Sequence, residues 1–123
     1  MQVYRFHREE RDAAGRLQQQ EVEQFMPGDF QAETEFEDWV NDRGNEMKRK
    51  MAQGWLNEQG ESLMPSGCPR CGQGKLESRD VRSRTIRYTF GEVMFRRRRF
   101  ECKKCGASVY PLDEKLGVEK KGG

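Results

Sequence analysis

The chain has 123 residues, 33% apolar and 36% charged, which suits one small domain or two very small ones around a thin core. No stretch approaches the roughly 20 apolar residues of a membrane-spanning helix, and no apolar signal-peptide centre follows the first charges, so a soluble, cytoplasmic protein is expected. The net charge of +2 conceals a segregation: residues 1–67 hold 8 Lys/Arg against 14 Asp/Glu, residues 68–105 hold 12 against 4, and the tail balances at 3 against 3.

At the N-terminus Val3, Arg5 and His7 alternate with Tyr4 and Phe6, and Asp12-Ala13-Ala14-Gly15 suits a tight connection, so a hairpin is expected. Its second arm is ambiguous. Leu17, Val22, Phe25 and Met26 fit a strand or one side of a helix, and Pro27-Gly28 ends either. His7 has no second histidine near it and reads as an ordinary surface residue.

From about Gln31 to Gln59, Phe36, Trp39, Val40, Met47, Met51, Trp55 and Leu56 recur at helical spacing between charged residues. This predicts a long amphipathic helix, open to a break near Gly44 or Gly54, each of which weakens it by about 1 kcal/mol relative to alanine. The aromatic and methionine stripe reads first as core. Its alternative is a partner-binding face made by Phe36, Trp39, Met47, Met51 and Trp55.

Leu63 to Gly67 holds Pro65, Ser66 and Gly67 and reads as a linker. Beyond it, Thr85–Phe90 and Glu92–Phe100 are rich in β-branched and aromatic residues around Gly91, which predicts two strands and a turn, with Ile86, Tyr88 and Phe90 on one face. The expected class is α+β: an N-terminal hairpin and long amphipathic helix (1–63, acidic), an antiparallel β ribbon (64–112, basic), which the four cysteines taken up next make a zinc ribbon, and a charged tail (113–123).

Cys68-Pro-Arg-Cys71-Gly and Cys102-Lys-Lys-Cys105-Gly are two copies of one device, each placing two thiolates about one turn apart with a glycine after them. Two such knuckles complete a tetrahedral shell, and in a reducing compartment paired CxxC motifs point to a metal before a disulfide. One structural Zn²⁺ on Cys68, Cys71, Cys102 and Cys105 is expected, with a redox dithiol or an iron site as the alternatives. Four protein ligands leave no open position for catalysis. No Ser/His/Asp set or phosphate-cradling loop accompanies them, so no catalytic residue is assigned and no enzyme is expected.

Between and within the knuckles lie Arg79, Arg82, Arg84, Arg87, Arg96, Arg97, Arg98, Arg99, Lys103 and Lys104. In a strand Arg97 and Arg99 point away from Arg96 and Arg98, so the run decorates both faces. Two readings are open. The arginines contact phosphates of a nucleic acid, or they pair with the acidic N-terminal region. No base-reading element is identified by the residues.

CPRCG, RTIRYTFGEVMFRRRRFECKKCG and PLDEKLGV, in that order, resemble the N-terminal zinc-binding region of bacterial insertion-sequence transposases, of the Kra-type group and more loosely the Lre-type group. The resemblance covers about residues 66–118. It implies DNA binding at transposon ends, with strand transfer carried out by a separate RNase-H-like domain that this segment does not contain. The function expected is thus a transposase-derived DNA-binding accessory or standalone remnant, nucleoid-associated, with RNA as the other candidate ligand. The alternative is an adaptor docking a larger protein or nucleoprotein partner through the aromatic and methionine helix. Asp113 and Glu114, inside the Pro-Leu-Asp-Glu motif, read as solvated charge at a structural junction and not as an active-site pair.

Overall fold

The computed structural model describes residues 1–117; residues 118–123, the end of the expected charged tail, lie outside the described residues. In chain order the elements are β1 (Tyr4–Arg11), β2 (Leu17–Phe25), α1 (Glu33–Ser62), β3 (Leu76–Tyr88), β4 (Gly91–Cys102), β5 (Ser108–Val109) and α2 (Pro111–Leu116). The class is α+β, as expected. The chain divides into two compact units, Met1–Lys50 and the residues from Met51 onward. The division falls inside α1, whereas composition suggested one at Leu63–Gly67.

In the first unit β1 and β2 pair antiparallel from Tyr4↔Phe25 to Arg11↔Leu17, with a register shift between Phe6 and His7. The ambiguous second arm is therefore a strand. Its turn is held by Asp12, whose carboxylate accepts the Ala14 and Arg16 N–H groups at 3.0 and 2.9 Å, while Gly15 takes φ 80°. Cross-strand polar pairs such as Arg8–Gln20 (2.8 Å) and Glu9–Gln19 (2.9 Å) replace apolar contacts along much of the ladder. The one buried apolar residue is Phe25, with the Arg43 guanidinium 5.9 Å from its ring centre. Phe30 packs edge-on against Phe36 and tilted against Trp39, at 5.5 and 5.6 Å.

Helix α1 runs unbroken through Gly44 and Gly54, so neither glycine interrupts it. Glu33 and Glu35 complement the dipole of its first turn, and Glu35 accepts the Gln31 N–H at 3.0 Å. At the far end Ser62 Oγ donates back to the Glu58 carbonyl, and Pro65 follows shortly after. The expected core stripe is only partly core. Phe36, Met47, Met51 and Trp55 are exposed, and Leu56 alone of the stripe is buried. The packed line of the helix is instead Ala52, Leu56 and Gly60, four residues apart, small side chains on either side of a large one.

That line meets the second unit's sheet, ordered β3-β4-β5 and antiparallel throughout. β3 and β4 pair from Tyr88↔Gly91 to Leu76↔Cys102, so the strands are longer than the sequence suggests. The core joins Leu56, Val93, Phe95 and Leu112, with Ile86, Tyr88, Phe90 and Leu116 packed around them. Because β5 pairs only with Phe100 and Glu101, β4 has an open edge over most of its length. Helix α1 covers it. Gln53 Nε2 donates to the Met94 carbonyl at 2.7 Å, and Asn57 Oδ1 accepts the Arg96 N–H at 2.8 Å. Gly60 permits the approach, since a Cβ there would strike the Arg96 carbonyl oxygen.

Burial along β4 changes parity. Val93, Phe95 and Arg97 are buried in the first part, then Phe100 and Cys102 in the last. With alternation about the strand, the two faces of β4 serve two interiors: the α1–α2 core and the cysteine end. A register shift between Ser78 and Asp80 on β3 sits at the changeover.

Candidate metal centre and basic hairpin

The two knuckles have the same construction. Gly72 N–H donates to the Cys68 carbonyl and Gly106 N–H to the Cys102 carbonyl, both at 2.9 Å, with the glycines at φ 72° and 75°. Only a residue without a Cβ takes that conformation at no strain, which is the physical content of the glycine after each pair. Cys102 N–H bonds the Ala107 carbonyl at 2.9 Å and Lys103 N–H reaches the Lys75 carbonyl at 3.1 Å, tying the second knuckle to the chain that leaves the first.

All four Sγ atoms lie within 4.8 Å of one another. Cys68–Cys105 are 3.6 Å apart and Cys71–Cys102 3.7 Å. A tetrahedron with metal–sulfur bonds of about 2.3 Å has edges of about 3.8 Å, so the sulfurs stand where a tetrahedral ion needs them. The distances exclude disulfides, and all four thiols are free. Cys68 and Cys102 are buried, Cys71 is half-buried and Cys105 is exposed. Gly74 lies against the cluster, where a Cβ would run into Cys102 Sγ and press on Cys71 Sγ.

The electrostatics favour a cation at the centre. The Cys71 N–H, opposed by burial, brings the Cys68 thiol down to about 6, and the Gln73 N–H first of all lowers Cys71. At Cys105 the Ala107 N–H works downward, but burial and the neighbouring sulfurs outweigh it and hold the thiol up at about 11. Backbone donors thus favour charge on some sulfurs while the accumulating charge opposes it on another. A dication removes that conflict. The cluster can bind a metal. No family model, curated protein or solved structure matches this chain.

The basic residues divide into inward and outward sets. Arg97 Nε and Arg84 Nη1 bind the two oxygens of Asp113 at 2.9 and 2.8 Å, and all three side chains are 8% exposed or less. Arg97 also donates to the carbonyls of Arg82 and Ser83 at 3.2 and 3.1 Å and lies 4.0 Å from the Tyr110 ring centre. Arg84 and Arg97 are structural cations, withdrawn by burial from the expected nucleic-acid surface. Asp113 is likewise not solvated charge: it is the buried carboxylate that fastens α2 to the hairpin. Arg99, 15% exposed, binds Asp80 at 2.8 Å and Ser108 Oγ at 3.2 Å.

The other expected residues remain accessible and form pairs with carboxylates or polar groups. Arg79 meets Glu101 (3.1 Å), Arg82 meets Asp80 (3.3 Å), Arg87 meets Glu92 (3.0 Å), Arg96 meets Glu61 (3.1 Å) and Lys103 meets Glu77 (3.1 Å). Arg98 donates to Ser78 Oγ and Lys104 to Gln73. In the ion pairs just described, Glu61 is the one carboxylate of residues 1–67 that meets a hairpin arginine, so the reading in which the acidic segment neutralises the run is realised there at Arg96.

Sequence reasoning missed Asp113, Gly74 and Gly60, along with Gln53 and Asn57. Gly74 follows Cys71 closely enough to be found as a second knuckle glycine. The others act on partners 16 to 41 residues away and carry no local signal. Among the described residues no helix is long and apolar enough to cross a membrane.

Proposed function

We propose that the chain is a zinc-ribbon nucleic-acid-binding protein of transposase-derived type, a cytoplasmic, nucleoid-associated accessory that binds DNA and has no catalytic activity of its own. Zinc is the metal because four thiolates in a closed tetrahedral shell suit a borderline-soft dication held for structure. The observation that carries the binding assignment is the outward face of the β3–β4 hairpin, where Arg87, Arg96 and Arg98 stand beside Ser83 and Thr85. Residues 51–117 hold 13 Lys/Arg against 8 Asp/Glu, and a four-thiolate zinc centre removes about two charges from that balance, leaving a basic surface. The order of motifs shared with transposase zinc-binding regions supports DNA as the polyanion.

Anisotropy titrations of the full chain on duplex DNA at rising salt test this. Affinity falls steeply, and the Arg87→Gln/Arg96→Gln/Arg98→Gln variant binds more weakly with a log–log salt slope reduced by about 3. Salt-insensitive binding, or an unchanged slope in the variant, overturns the assignment. Metal analysis of the purified chain should return one zinc per molecule.

A second reading, an adaptor in a larger nucleoprotein complex, rests on a separate observation in the first unit. An apolar groove of about 630 Å³ is lined there by Tyr4, Phe25, Phe30, Phe36, Trp39 and Met47. Met51 and Trp55 do not line it, which narrows the expected partner-binding set to Phe36, Trp39 and Met47. Under this reading a Phe36→Ser/Trp39→Ser variant keeps DNA affinity but loses a copurifying protein that survives nuclease treatment.

A further inference from the structure

We infer that the outward face of the β3–β4 hairpin enters the major groove of B-form DNA and reads base edges there, with Ser83, Thr85 and Met94 contributing discrimination between the arginines. This rests on the DNA-binding assignment above and goes beyond it, because phosphate contact alone carries no sequence information.

The face is defined by register. Directly opposed residues share a side, so Val81/Arg98, Ser83/Arg96, Thr85/Met94 and Arg87/Glu92 form one surface. The other side is committed to the interior through Ile86, Arg84, Val93, Phe95 and Arg97. Three guanidiniums and two hydroxyls on the outward surface match the donors that read guanine O6 and N7 and either base type. A purely phosphate-binding surface has no use for exposed apolar side chains. Yet Met94 and Val81, 57% and 41% exposed, lie on this one, Met94 in an inner pair and Val81 in an end pair. In a groove they meet thymine methyl groups.

Size selects the nucleic acid. Two strands about 5 Å apart with their side chains fit a major groove about 12 Å wide, whereas the A-form major groove is too narrow and deep for side chains to read. The surface is also held in place from behind. Asp113 fixes Arg84 and Arg97 beneath the hairpin, and Gln53 and Asn57 hold the β4 edge, so outward side chains start from a rigid backbone. The pairs Arg87–Glu92 and Arg96–Glu61 are solvent-exposed and therefore weak, which leaves both guanidiniums free to exchange partners.

The full zinc-loaded chain is first used to select duplexes from a random pool, and the selected duplex is then remade with 7-deazapurines. That change deletes the N7 acceptor of the major groove and leaves phosphates and minor groove intact. Affinity is expected to fall at least tenfold, and double-stranded RNA of the same sequence to bind at least tenfold more weakly than the DNA. The Ser83→Ala/Thr85→Ala/Met94→Ala variant is expected to keep the salt slope and lose at least fivefold of the preference for selected over random duplex. DNA binding with a normal salt slope but no 7-deaza effect, or equal binding of duplex RNA, overturns the groove inference and leaves the DNA-binding assignment standing. Absence of DNA binding at low salt overturns both.

Discussion

Asp113 serves two arginines with one carboxylate in a site that water does not reach. Removing it leaves two buried cations with lost partners, and breaking a buried ion group of this kind costs about 3–5 kcal/mol. Asp113→Asn is expected to lower the unfolding free energy by that amount in urea titrations, whereas Glu114→Gln, at an exposed neighbour, changes it little. At the metal centre, Gly74→Ala drives a methyl group into Cys102 Sγ. Zinc affinity, read by competition with a chromophoric chelator, should fall more than tenfold. The sign of the pH effect follows from the thiols. Cys68, lowered to about 6, is largely ionised at neutral pH, but Cys105, raised to about 11, must give up a proton for the metal. Metal affinity, read by the same competition across pH, is therefore expected to rise by at least about tenfold per unit between pH 6 and 8, where each bound dication displaces one proton or more.

At the scale of elements, α1 shows how a correct period can leave the buried face undecided. The 3.6-residue recurrence of Phe36, Trp39, Met47, Met51 and Trp55 predicts a helix, and the helix is there. Which side is buried depends on what lies opposite, and β4 receives Ala52, Leu56 and Gly60 because a strand edge needs close approach and hydrogen-bonding side chains. Gln53→Ala or Asn57→Ala should each cost about 0.5–1.5 kcal/mol, the usual net worth of one such bond. Their more specific signature is faster hydrogen exchange at the Arg96 amide in Asn57→Ala, which loses its acceptor. The β4 strand makes the same point. Alternation already separates Arg97 and Arg99 from Arg96 and Arg98, yet the change of buried parity before Phe100 depends on which structure lies above each end.

At the scale of the molecule, the cysteine end supplies what a chain with so few apolar residues lacks. Four free thiols around a small interior have no cohesive reason to converge without a cation, so metal binding and folding are expected to be coupled there. Zinc removal by a chelator should abolish the protease resistance of residues 68–112. Retention of that resistance, together with unchanged β-structure by circular dichroism, would refute the coupling. Charge is organised at this scale too: the unit from Met1 to Lys50 is acidic and the one from Met51 is basic. A polyanion is thus expected to bind the second unit, whichever individual arginines make the contacts.

The four clustered cysteines and the α+β class are readable in the chain because their signals are local: a knuckle is closed within five residues by its own glycine, and strand and helix periods repeat within a few turns. The roles of the arginines are decided by tertiary structure alone. Identical neighbours in the run Arg96–Arg99 differ in burial and partner because Glu61, Asp80 and Asp113 are brought to them from distant points in the chain. Local spacing cannot encode a contact that exists only after the strands, α1 and α2 have packed.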